Sequence, residues 1–88
     1  MQLINRNNAV IMIKKRISST SRLHVTITTW KRDRKIEVIK NNNQYSIIEN
    51  GFKHFTANKL KLDNCLLILK QKMNIEFPHS HQVYISFK

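Results

Sequence analysis

LHVTITTWKRDRKIEVIK, from Leu23 to Lys40, reads as two strands joined by a strongly basic turn. Leu23, Val25 and Ile27 alternate with His24, Thr26 and Thr28, a period of two that puts the apolar set on one face of a sheet. Ile36 and Val38 alternate with Lys35 and Glu37 in the same way. Between the strands lies Trp30-Lys31-Arg32-Asp33-Arg34-Lys35, four cations and one acid beside the only tryptophan. Such a turn repels itself unless solvent or an anion sits against it.

Downstream, Asn41-Asn42-Asn43 predicts a turn, because asparagine tolerates a positive φ. Gln44–Glu49 resumes the alternation with Tyr45 and Ile47, and Asn50-Gly51 then separates it from Phe52–Phe55. An Asn-Gly pair between apolar runs is a strong hairpin signal, since both central residues of a type I′ turn need φ above zero. The period then changes. Leu62, Cys65, Leu66, Leu69 and Met73 fall on one helical stripe, with Asp63 placed to cap its start and Lys70 and Lys72 in its final turns. Leu67 and Ile68 widen the apolar arc, as expected of a helix lying flat on a sheet. Pro78 stops any continuation, His79-Ser80-His81 forms a loop, and Val83, Ile85 and Phe87 alternate in a closing strand.

Upstream, Ser18-Ser19-Thr20-Ser21 is a polar break. In Ala9–Ile17, the even spacing of Ile11, Ile13 and Ile17 against Lys14 and Arg16 predicts an edge strand, with Lys15 discouraging edge pairing. Met1–Asn8 reads as a frayed lead-in or a short edge segment. The expected order is β-β-β-β-β-α-β in a single domain over residues 1–88. The fold class is α+β: an antiparallel-rich sheet of five to six strands with one helix on one face and the other face open.

Charge is the outlying quantity. The 88 residues carry sixteen Lys and Arg against five Asp and Glu, a formal net charge of +11. Ten of the cations lie before residue 41. Asn, Ile and Lys are abundant, as in an AT-rich coding sequence, but that bias raises Glu as readily as Lys and the chain has three Glu. A field of this sign points to a polyanion, most simply DNA or RNA. Cations set among aromatics on an open sheet suit single-stranded nucleic acid, where cations neutralise phosphates and rings stack on bases. Lys14, Arg16, Lys31, Arg32, Arg34 and Lys35 are the expected phosphate contacts, with Trp30 and Tyr84 stacking. Against this stand a solvated charged loop and a Trp30 that caps the core. The turn also has the form of a two-stranded ribbon that enters a duplex groove.

No catalytic signature stands out, so the chain reads as non-enzymatic. His79 and His81, with a lone Cys65, lack the paired spacing of a structural metal site, and no cofactor is expected. The single cysteine excludes an internal disulfide and suits a reducing compartment. The apolar run Ala9–Ile13 is too short for a secretory leader or a membrane span, so a cytoplasmic protein without membrane attachment is expected. One alternative is a small phage or mobile-element protein that inhibits a host nucleic-acid-handling complex, such as a CRISPR effector, by covering an acidic protein surface. A lesser one is a small basic ribonuclease using His24 or His54 beside a cation. Exposed sheet edges leave a homodimer open.

Overall fold

The structure, a computed structural model, describes residues 1–88. The elements are β1 (Gln2–Asn5), α1 (Arg6–Ser19), β2 (Arg22–Thr28), β3 (Lys35–Asn41), β4 (Gln44–Asn50), β5 (His54–Leu60), α2 (Leu62–Glu76) and β6 (Gln82–Phe87). All six strands form one sheet in the order β1-β6-β2-β3-β4-β5, and every neighbouring pair is antiparallel. No helix is long and apolar enough to cross a membrane.

The central hairpin forms in the expected register. Val25 faces Val38 and Ile27 faces Ile36, and all four side chains are buried. The inward residues of β1, β2, β3, β4 and β6 join Ala9, Ile13 and Ile17 of α1 and Cys65, Leu69 and Met73 of α2 in one core of seventeen residues. Both helices therefore cover the same face. α1 lies along β1, β6 and β2, and α2 along β3 and β4.

Two helices, not one, cover the sheet because Ala9–Ile17 is helical and not an edge strand. Ala9, Ile13 and Ile17 are spaced by four, which satisfies a period of two and a period of 3.6 alike. Ile11, which favoured the strand reading, is 51% exposed. The choice is made by local and tertiary groups together. Asn5 caps the start by accepting from the Asn7 N–H at 2.9 Å. At the other end, Lys40 Nζ of β3 donates to Ile17 O at 2.7 Å and Thr20 O at 2.8 Å, satisfying carbonyls the helix cannot. The lead-in is also ordered: β1 pairs with β6 and buries Ile4 opposite Val83.

The turn chemistry is partly as expected. Asn42, with φ 58°, makes the β3–β4 turn. The β4–β5 connection is a three-residue loop, Gly51-Phe52-Lys53, not a two-residue turn, and Gly51 does not have a positive φ. Its role is close approach. A Cβ there would run into the Glu76 carboxylate and lie 3.0 Å from the Arg34 backbone. The steric demand begins at Cβ, so Gly51→Ala should carry most of the destabilisation of Gly51→Val, about 1–3 kcal/mol by urea unfolding. Wild-type stability for the alanine variant would contradict this assignment. Farther along β5, Lys59 takes φ 57° where the pairing shifts between Tyr45 and Ile47, a bulge that bends this edge strand. α2 starts one residue before Asp63, with Lys61 at the cap, and runs to Glu76, so Lys70 and Lys72 precede its last turn.

Candidate nucleic-acid interface

On the open face, the strand registers build a row from the β1 edge towards β5: Leu3, Tyr84, Thr28, Lys35, Asn50 and His54. Trp30 lies just beyond the end of β2, in the Thr29–Arg34 turn, and is 78% exposed. Its ring sits against Tyr84, with centroids 5.8 Å apart and planes tilted by 34°. Trp30 is therefore a surface aromatic and not a cap on the core. Leaving an indole of this size in water forgoes roughly 3–5 kcal/mol of burial.

The turn is held in shape by its own groups. Arg32, with φ 59°, donates its backbone N–H to Thr29 O at 3.0 Å. The Thr29 hydroxyl donates to Asp33 Oδ1 at 2.9 Å. That hydrogen bond is the main reason the Asp33 carboxyl titrates below its usual range, with Arg34 and Lys31 adding to it. Asp33 thus shapes the turn through Thr29, leaving Lys31 and Arg32 exposed.

Beneath the turn is a buried acid cluster that the sequence did not suggest. Glu76 Oε1 accepts from the Phe52 N–H at 2.7 Å and Oε2 from the Lys53 N–H at 3.0 Å. Its backbone carbonyl accepts from Arg34 at 3.0 Å. Glu49, 1% exposed, has Lys72 Nζ at 3.2 Å from Oε1, but neither carboxylate oxygen receives a well-aligned hydrogen bond. Burial, and then the neighbouring Glu76, push the Glu49 carboxyl upward. Burial also opposes ionisation of Glu76, but Glu49, the two backbone amides and Arg34 outweigh it and hold that group below its usual range. The end of α2 thereby ties the β4–β5 loop and the basic turn to one post.

Of the expected contact residues, Trp30, Lys31, Arg32 and Tyr84 gather at one corner, and Lys35 lies one strand further along the row. Lys35 is partly neutralised by Glu37 at 3.8 Å, which also binds His24 Nε2 at 2.8 Å. Arg34 faces back into the fold, on Glu76 O and over the Phe52 ring. Lys14 and Arg16 do not share the open face. They belong to α1 on the covered side, where Lys14 borders the groove between the helices and Arg16 lies 4.7 Å over Phe87. The open face thus presents a basic, aromatic corner, without the cations of α1.

Outside that corner the surface stays strongly cationic. Two of the five acids are buried, and only Lys35 and Lys72 among the sixteen Lys and Arg lie within 4.0 Å of a carboxylate. Cys65 is fully buried and its thiol is pushed up to about 11 by burial, so it is held protonated. Nowhere do three His, Cys, Asp or Glu side chains converge as a metal site would require. No protein-family model, curated protein or solved structure matches the chain.

Proposed function

We propose that the protein binds single-stranded nucleic acid without catalysing a reaction on it, using the Trp30–Tyr84 corner for bases and Lys31 and Arg32 for phosphates. The observation that carries this reading is the exposed indole of Trp30 set against Tyr84 beside cations that have no carboxylate partner. A stacked base needs an open ring face, which favours unpaired strands over duplex. The polar row Lys35, Asn50 and His54 continues from the corner across the sheet and offers ammonium, amide and imidazole groups to a strand lying along it.

The test is the salt dependence of oligonucleotide binding, read by anisotropy. Each phosphate contact on a single strand contributes about 0.7 to the slope of log K against log salt. Lys31→Ala with Arg32→Ala should weaken binding across all sequences and flatten the slope by about 1.4. An unchanged affinity and slope would remove the turn from the interface. Arg34 is left out of this pair because it anchors the turn.

A second reading is favoured by the groove between α1 and α2, where Arg6, Lys14 and Lys70 surround Val10, Ile11 and Met73 with no acid among them. Apolar residues rimmed by cations suit an acidic amphipathic segment of a partner protein, as an inhibitor of a host nucleic-acid-handling complex would need. The two readings separate by which surface responds to substitution: the hairpin corner for nucleic acid, Lys14 and Lys70 for a protein.

A further inference from the structure

Two recesses meet at the loop after α2, one of them lined by Trp30. One runs from Trp30, Lys31 and Asp33 to Glu76 and the loop after α2. The other, about 250 Å3, is lined by Asn5, Arg6, Asn7 and His81, with Pro78, His79 and Ser80 on the wall it shares with the first. Their chemistry differs. The first sets Asp33 and Glu76 against Lys31 and Arg34, whereas the second holds Arg6, His79 and His81 and no acid at all. Of the two, the second is the better seat for a phosphate attached to a base on Trp30, because no acid offsets its basic groups.

The second recess is also built in advance. Arg6 Nη1 donates to Phe77 O at 2.6 Å, which fixes the guanidinium at the wall while its remaining N–H groups are left over. The Arg6 backbone N–H donates to His81 O at 2.8 Å, locking the start of α1 to the Pro78–His81 loop. The Asn7 N–H is taken by Asn5. Side chains, not helix amides, are therefore the groups that face a ligand.

We propose that this recess is a phosphate subsite, in which Arg6, His79 and His81 hold the phosphate next to the base stacked on Trp30, with a grip that tightens as pH falls. The proposal rests on the nucleic-acid reading above. Histidine is the side chain that gains charge between pH 8 and 5, and a bound phosphate favours the imidazolium, so binding takes up protons. The charged groups facing the pair are Arg6 from α1, Lys31, Asp33 and Arg34 from the turn, and Glu76 from α2. Of these, Asp33 and Glu76, both held below the usual carboxylate range, remain ionised over that range.

The experiment is anisotropy of a labelled oligothymidylate, whose bases do not titrate here, from pH 8.5 to 5.5 at constant ionic strength. The wild-type protein should gain about threefold to thirtyfold in affinity on acidification, as two surface ion pairs would give. His79→Gln with His81→Gln should bind like the wild type at pH 8.5 and lose the gain. His24→Gln with His54→Gln should keep it. A further gain with 5′-phosphorylated oligothymidylate assigns the recess a terminal phosphate, and equal binding assigns it a bridging one. An undiminished gain in the His79/His81 variant, or a flat wild-type profile, overturns the subsite. Trp30→Ala in the same assay keeps the failures apart: if it weakens binding while the profile is flat, only the subsite falls, and if it has no effect, the nucleic-acid reading falls as well.

Discussion

Trp30→Ala is expected to weaken oligonucleotide binding by about 5- to 140-fold while leaving the melting temperature within a degree or two of wild type. The affinity loss corresponds to roughly 1–3 kcal/mol for one base–aromatic stack. The small effect on stability follows from exposure: at 78% accessible, the indole buries little against the fold beyond its contact with Tyr84. Trp30→Phe should recover part of the affinity, because a ring face is restored at the same place. The pairing of a large binding effect with a negligible stability effect is what separates an interface residue from a core residue. A variant that binds normally would leave the exposed indole without a role, and one that unfolds would return Trp30 to the core.

Glu76→Ala should have the opposite signature. It removes the acceptor for the Phe52 and Lys53 amides, leaves Glu49 and Lys72 without their neighbour, and loosens the loop against which Gly51 is fitted. Breaking a buried charged network by deleting one member costs about 3–5 kcal/mol. For a domain of this size that corresponds to a melting temperature at least ~12 °C lower. Glu49→Gln should cost much less, because burial already favours the neutral form of that carboxyl.

The pH dependence has two limbs. Glu76, held below its usual range when folded, contributes stability that is present above the unfolded carboxyl range and lost as pH falls through its folded value. Glu49, raised when folded, contributes stability that is present when protonated and lost as pH rises through its folded value. Stability is therefore greatest when the pair holds one proton. Calorimetry of the two variants across the acid range checks this. Equal stability of Glu76→Ala and wild type at pH 7 would contradict the post.

The parts of the fold that were legible in the sequence are those in which local pattern and tertiary burial agree. The hairpin from Leu23 to Lys40 alternates at its centre, and its register pairs Val25 with Val38 and Ile27 with Ile36. The α2 stripe has only the helical period. The open face follows from strand parity alone, which is why Thr26, Thr28, Lys35, Glu37 and Tyr84 do share it. Residues 9–17 misled because Ile13 and Ile17 serve both periods, and the groups that decide for a helix include Lys40, which is remote in sequence. β1 was obscure for the same reason, since four residues carry little pattern and its partner β6 is the last strand of the chain.

The candidate site was legible in composition but not in layout. Trp30, Lys31 and Arg32 share one basic turn in the sequence, and strand parity puts Tyr84 on the same face. Placing Lys14 and Arg16 beside them required the strand that proved to be α1. Arg34 is indistinguishable from Arg32 in sequence, and only the fold shows that it binds Glu76 O. The buried Glu49 and Glu76 left no signal, because an isolated acid in a strand or at a helix end reads as exposed. Their burial sharpens the electrostatic argument: the surface is more cationic than the composition states.

Trp30 is the only tryptophan, so its fluorescence reports on the corner without labelling. Titration with short single-stranded oligonucleotides at two salt concentrations should quench this emission and show affinity falling steeply as salt rises, with duplex of the same length binding more weakly. Emission unchanged by either strand type at low salt, with no binding by anisotropy, would contradict nucleic-acid binding by this protein.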